Sequence, residues 1–315
     1  MRLILCLAML VLFSTSTVIA GDVKTINYKE IDATNLHEHL ASGQATLESV
    51  QEYIENGADV SKKELMDCVG LGLYYISNWR VRKENEGFGE LTPMMVASLQ
   101  YPPDVLQELL DAGADVTTRG FKDQTALHFA SKSNSHPEVA QLLINAGANM
   151  NAKDTSQNTA IHIASRYNKD SEFIKYLIKA GAVVTKKDSS GYTPLMRCAS
   201  RFEDITLIQL LLDAGSDINA KERYGYTPLM FSMKKGTTEK TFLLIDSGAK
   251  VDFKTKNNKS PLFYALEKRN SIDTISQLLE AGANVNLQDG NQKSPFMLAA
   301  QKYTDTDIMS LLLEH

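Results

Sequence analysis

Few residues in this sequence combine a type and a spacing that could support chemistry. His37, Glu38 and His39 stand together, but histidines two residues apart point to different sides of a helix, whereas a helical zinc pair needs a spacing of about four. The sequence has no Gly-rich phosphate loop, no Gly-x-Ser-x-Gly and no Cys-x-x-Cys, and its carboxylates form no acid–base pair. It therefore predicts a protein without catalytic activity, cofactor or metal site.

The N-terminal residues have the pattern of a secretory signal peptide. Arg2 precedes an apolar run over residues 3–13, which is too short to span a bilayer as a helix, and Ala20 and Gly21 flank an acceptable cleavage site. We predict a signal peptide over residues 1–20, a polar leader over 21–33, a periplasmic or secreted location and no stable membrane anchor after cleavage. An uncleaved anchor is the alternative interpretation.

The charge balance argues against nucleic acid as a partner. The chain has 33 basic and 38 acidic side chains, which gives a formal net charge of −5 at pH 7. A net negative charge repels a polyanion, so general nucleic-acid binding is not expected.

The remainder of the chain is built from a repeated segment. A four-residue opener such as Thr193-Pro194-Leu195-Met196 recurs every 33 or 34 residues, and a Gly such as Gly215 follows about two-thirds of the way through each unit. The openers begin at Thr92, Thr125, Thr159, Thr193, Thr227, Ser260 and Ser294. Such units bury their apolar faces by stacking against one another.

Opener, Gly and spacing together resemble the ankyrin repeat family, whose repeats carry Thr-Pro-Leu-His at a period of about 33 residues. The resemblance covers residues 34–315 and implies an all-α solenoid of about seven to eight stacked helix–turn–helix units, including an atypical N-terminal cap. It implies a degenerate capping repeat over 34–60 and seven repeats, 92–124, 125–158, 159–192, 193–226, 227–259, 260–293 and a truncated 294–315. Most units carry one extra residue in the turn between their helices.

The residue types agree with this fold. Thr at the opener can cap the first helix, Pro beside it fits the first helical position, and Gly215 can take the left-handed conformation that ends the second helix. His128 and His162 stand at the fourth opener position, where the resemblance implies structural hydrogen bonds between units. Cys198 takes a slot that holds Ala in other units, which predicts a packed thiol.

Residues 61–91 interrupt the repeat. Ser61 and Glu64 have the spacing of a capping box, and the sequence from Glu64 to Arg82 is mostly compatible with a helix. We therefore predict a helical insertion, which either packs on the stack or provides an added binding element.

Partners of ankyrin-like proteins usually bind the concave side, formed by the finger-like turns before the openers and by the ends of the first helices. We call this side the inner face. Reading positions seven and eight after each opener, together with the fingers, gives these candidate partner-binding residues: Lys132, Arg166, Tyr167, Tyr192, Arg201, Arg223, Tyr224, Tyr226, Lys234, Lys235 and Lys268. Either an acidic partner is attracted to these cations, or the cations only favour the helix C-termini on which they lie.

The leading interpretation is a non-catalytic, monomeric scaffold that binds another protein outside the cytoplasm. An accessory, inhibitory or immunity protein for a secreted or periplasmic enzyme or toxin is the alternative, and the sequence favours neither over the other.

Overall fold

The computed structural model describes Leu36, Leu40 and residues 43–61, 64–67, 88–168, 170–233, 238–303 and 306–315. The predicted signal peptide and leader, and the candidates Lys234 and Lys235, lie outside these residues. Within the described ranges, no helix is both long and apolar enough to cross a membrane.

The described chain is a series of helix pairs. The first helices are α2 (Pro93–Ala97), α4 (Ala126–Ser133), α6 (Ala160–Tyr167), α8 (Pro194–Arg201), α10 (Pro228–Ser232), α12 (Pro261–Lys268) and α14 (Pro295–Lys302). The second helices are α1 (Leu47–Glu55), α3 (Pro103–Asp111), α5 (Pro137–Asn145), α7 (Ser171–Lys179), α9 (Ile205–Asp213), α11 (Thr238–Asp246), α13 (Ile272–Glu280) and α15 (Thr306–Glu314).

These helices form two layers. Each first helix contacts the first helices of the neighbouring units, and each second helix contacts the neighbouring second helices. The predicted all-α solenoid is therefore confirmed. One continuous apolar core runs between the layers from Leu36 to Leu312.

Local sequence signals set the helix ends. Thr193 Oγ1 accepts the Met196 N–H at 3.3 Å, and Pro194 occupies the first helical position of α8. At the end of α9, Gly215 has a φ of 85° and donates its N–H to Leu212 O at 2.8 Å. The left-handed conformation at this position favours glycine, so the chain turns away from the helix into the finger of the next unit.

Buried asparagines lie in the turns that follow α4 and α6. Asn134 donates from Nδ2 to Ser98 O and Tyr101 O, each at 3.0 Å, and its Oδ1 accepts the His136 N–H at 2.8 Å. Asn168 donates in the same way to Asn134 O at 3.1 Å. Buried carbonyl groups need partners, so these amides join each turn to the preceding unit.

The insertion corrects one prediction. Residues Glu64–Asp67 form strand β1, which pairs antiparallel with β2 (Phe88–Leu91), with Glu64 opposite Leu91. A helix starting after Ser61 was wrong, because Ser61 donates both its N–H (2.9 Å) and its hydroxyl (2.6 Å) to Asp59 Oδ1 and closes a turn instead of a capping box. Residues 68–87 lie outside the described part of the chain.

Candidate protein-binding face

The fingers that carry the candidate tyrosines are held by buried carboxylates. Asp188 Oδ1 accepts the N–H groups of Ser190 at 2.8 Å and Tyr192 at 3.0 Å. Glu222 Oε1 accepts those of Tyr224 at 2.7 Å and Tyr226 at 3.0 Å. Because a single carboxylate oxygen takes two backbone donors, each finger has a fixed shape that positions its tyrosines.

Neighbouring fingers are also joined to one another. The Ser189 N–H donates to Ser156 O at 2.9 Å, and the Arg223 N–H to Ser190 O at 3.3 Å. Further along the stack, the Lys256 N–H donates to Tyr224 O at 2.8 Å. The fingers therefore form a connected row, so that side chains on successive fingers keep a constant spacing.

Four rings form a continuous set, which we call the aromatic ladder: Tyr192, Phe231, Tyr226 and Tyr264. The ring centroid of Phe231 lies 5.3 Å from that of Tyr192 and 5.8 Å from that of Tyr226. Tyr226 meets Tyr264 edge-on at 5.6 Å. These distances fall in the range in which aromatic pairs attract each other. Two rings come from fingers and two from first helices, so the ladder links both parts of the inner face.

Arg197, in the middle of α8, is a member of this face that the sequence analysis missed. Its Cζ lies 3.7 Å from the ring centroid of Tyr192, and its Nη2 lies 2.8 Å from Asp188 Oδ2. Phe231 and Tyr264 were missed with it. All three stand four positions after an opener, and that position was not among those read from the sequence.

A second group, the cationic cluster, consists of Lys132, Arg166 and Arg201 around the ring of Tyr167. Arg166 Cζ lies 5.0 Å and Lys132 Nζ 5.9 Å from the ring centroid, and Arg201 donates from Nη2 to Tyr167 O at 2.9 Å. Cation–π attraction operates up to about 6 Å. Four candidates from three different units are thus brought together at the ends of the first helices.

Two tyrosines of the aromatic ladder are buried or partly buried. Burial raises the pKa of Tyr192, while the charges of Arg197 and Arg166 oppose that rise. Burial also raises the pKa of Tyr264. Both phenols therefore remain protonated at neutral pH and can donate a hydrogen bond.

The fingertips add a groove lined by Tyr224, Tyr226, Thr255, Lys256 and Asn257. Tyr224 is 58% exposed, and Lys256 Nζ lies 5.8 Å from its ring centroid. Two further candidates are exposed: Arg223 on its finger, and Lys268, whose Nζ lies 5.6 Å from the ring centroid of Tyr264 in the aromatic ladder.

The histidines and Cys198 belong to the fold. His128 Nδ1 accepts from the Thr125 N–H at 3.2 Å, and its Nε2 lies 3.2 Å from Asn158 O. His162 Nδ1 accepts from the Thr159 N–H at 3.3 Å, and its Nε2 lies 3.0 Å from Lys186 O. Cys198 is fully buried, and burial raises the pKa of its thiol to about 12. The thiol is thus protonated and unreactive at neutral pH, as a packing role requires. In the described part of the chain, no three His, Cys, Asp or Glu side chains converge as a metal site would require.

The sequence was compared with models of known protein families and with curated proteins. The family model for ankyrin repeats matches three times, over residues 36–154, 127–222 and 195–289. The chain therefore belongs to the ankyrin repeat family. A search of curated proteins found no match. Ankyrin repeats generally mediate protein–protein interaction, which supports a non-catalytic binding scaffold.

Proposed function

We propose that this protein is a non-catalytic scaffold that acts outside the cytoplasm and binds one partner protein on its inner face. The observation that carries the proposal is that the aromatic ladder and the cationic cluster lie on the same inner face, beside a row of fingers joined by hydrogen bonds. Tyr and Arg are favoured at the centres of protein interfaces because they combine a large contact area with polar reach. A surface that is already ordered loses little conformational entropy on binding.

The location rests on the sequence of residues 1–20 and is part of the proposal. Expression of the full chain in a bacterial host, followed by fractionation and N-terminal sequencing, tests it. We expect a chain that begins at Gly21 in the periplasm or medium. A chain retained in the cytoplasm with Met1 intact would contradict the location while leaving the binding role open.

Site-specific photocrosslinking tests the binding role. A photoreactive phenylalanine analogue replaces Tyr224, which is 58% exposed on the inner face, and in a matched control it replaces Ile272, which is 41% exposed at the start of α13 in the second-helix layer. We expect one discrete crosslinked protein from position 224 and none from position 272. Crosslinks from position 272 alone, or none from either site, would contradict the proposal. Identification of the product as an enzyme or toxin would favour the accessory or inhibitory alternative.

A further inference from the structure

We propose that the inner face binds an extended acidic segment of its partner, whose carboxylates contact the cationic cluster and Lys268 while its other side chains contact the aromatic ladder and the fingertip groove. This inference rests on the proposed function, since it specifies the chemistry of the segment that the scaffold binds.

The first argument is that three cations on the inner face form no ion pair within the described chain. Among the described residues, ion pairs within 4.0 Å involve Arg119, Lys175, Arg197 and Lys259, and none involves Arg166, Arg201 or Lys268. The chain as a whole has five more acidic than basic side chains, so carboxylates are not scarce. A partner that supplies carboxylates here would form charge-assisted hydrogen bonds, which are about twice as strong as neutral ones.

The second argument is the excess of hydrogen-bond donors. The hydroxyls of the tyrosines on the inner face have no hydrogen-bond partner within the described chain, and none is a buried polar atom; these residues are Tyr167, Tyr192, Tyr224, Tyr226 and Tyr264. Elsewhere tyrosine hydroxyls do bond to the protein, as Tyr101 does to Leu40 O at 3.0 Å and Tyr303 to Leu266 O at 3.3 Å. Guanidinium and ammonium groups only donate, so the complementary ligand is rich in acceptors.

Helix dipoles explain only part of this arrangement. The helix dipole favours cations in the last turns of α4, α6, α8 and α12. Each such cation stabilises its helix by about 0.3–1 kcal/mol. The dipole does not account for the tyrosines that line the same face. The combination of cations, phenol donors and the exposed ring of Tyr224 points to a ligand.

The geometry also sets the length of the segment. Lys132 and Lys268 end the first helices α4 and α12, which are four units apart in the stack. With neighbouring helices about 8–10 Å apart, this span is roughly 30–40 Å. An extended peptide rises about 3.3 Å per residue, so about ten to twelve residues cover the site. A nucleic acid also presents acceptors, so a single-stranded oligonucleotide is included as a competitor in the experiment.

A displayed library of random peptides of about twelve residues is the probe. The full chain without its signal peptide is the bait, and the enriched peptides are then tested against an inner-face variant with Arg166→Glu and Lys268→Glu. Arg166 and Lys268 make no hydrogen bond or ion pair within the described chain, so the variant is expected to fold. Lys179→Glu, at the exposed end of α7, is the control with the same type of charge change on the other layer.

We expect the enriched peptides to carry an excess of Asp and Glu around at least one aromatic or aliphatic residue. Fluorescence anisotropy with the best labelled peptide should show a loss of affinity of about tenfold in the Arg166→Glu, Lys268→Glu variant and no loss in Lys179→Glu. Raising the salt concentration should weaken binding by a similar factor. Tyr192→Phe with Tyr226→Phe keeps the rings and removes two donors, and should weaken binding several-fold.

The outcomes separate this inference from the proposed function. Enriched peptides that lack an acidic excess, or whose affinity is unchanged by salt and charge reversal, would overturn the acidic segment while leaving a binding face. A single-stranded DNA oligonucleotide that competes at the same site with higher affinity would overturn it in favour of nucleic acid. If no peptide distinguishes the wild-type chain from the inner-face variant and photocrosslinking at position 224 also fails, the proposed function itself is contradicted.

Discussion

The guanidinium of Arg197 lies over the ring of Tyr192, with Cζ 3.7 Å from the ring centroid. The same group forms an ion pair with Asp188 at 2.8 Å, and only 16% and 5% of the two side chains are exposed. One residue in a first helix therefore contacts both the ring and the buried carboxylate of a finger. This contact couples the shape of the finger to the position of the aromatic ladder.

The first prediction concerns this contact. Arg197→Ala should lower the free energy of unfolding by about 1.5–3 kcal/mol, because Asp188 Oδ2 loses its charged donor while remaining buried. Urea unfolding followed by circular dichroism measures the change. In a double-mutant cycle with Asp188→Asn, the two effects should fail to add, by about 1 kcal/mol or more. Strict additivity would show that the ion pair contributes little.

The second prediction concerns the fingertip glycine Gly191. Its φ is 86°, and a Cβ built there would lie 3.0 Å from the Arg223 amide nitrogen and 3.1 Å from Glu222 Cα in the next finger. Gly191→Ala should destabilise the chain by about 1–3 kcal/mol, since both the backbone conformation and the close contact oppose a side chain. Gln157→Ala is the control, because Gln157 occupies the equivalent position at a φ of 62° with its own side chain.

Thermal unfolding of both variants checks this second prediction. If the Gly191→Ala and Gln157→Ala chains unfold at the same midpoint temperature, the neighbouring finger moves to accept the new side chain with little loss of stability.

The third prediction concerns the buried amides between units. Asn134→Ala should cost about 1–3 kcal/mol, because it leaves Ser98 O and Tyr101 O without their donor. Ser135→Ala in the same turn changes an exposed residue and should alter stability by less than about 0.5 kcal/mol. Equal effects of the two substitutions in urea unfolding would show that the asparagine bonds do not hold the turn.

The sequence predicted the parts of the structure that depend on local signals. Thr193 and Pro194 act at the start of α8, and Gly215 acts at the end of α9. Each signal is local, so the residue types alone are enough to predict where these helices begin and end. The role of Asn134 could not be read in the same way, because its acceptor Ser98 O lies 36 residues away in another unit. The spacing of Ser61 and Glu64 predicted a helix, but pairing of the Glu64 strand with distant Leu91 decided the conformation.

The candidate site divides along the same line. Tyr167, Arg166 and Lys132 could be assigned to one face because they follow openers at fixed positions. The contact of Tyr192 with Arg197 could not be predicted, since it depends on how a finger folds back on a first helix. The signal that would have found Arg197 is the variation of residue type between units at every position of the first helix, and not only in its last turn.

The last prediction concerns pH. Burial lowers the pKa of His128 and His162 in the folded chain, whereas histidine in an unfolded chain titrates near about 6.5. Below about pH 6.5 the unfolded chain therefore binds protons that the folded chain does not. The free energy of unfolding is therefore highest above that pH. It falls as the pH decreases towards the folded-state pKa, by at most about 1.4 kcal/mol per pH unit for each histidine.

Urea unfolding between about pH 7.5 and 5.5 measures this slope. Met196 and Met230 stand at the same opener position in other units, so His128→Met with His162→Met keeps an apolar side chain that this position accepts. The double variant should unfold with a much flatter dependence on pH over this range, because neither state then gains a proton at these sites. If the double variant keeps the wild-type slope, other groups must carry the pH dependence, and the two histidines would not be buried in their neutral form.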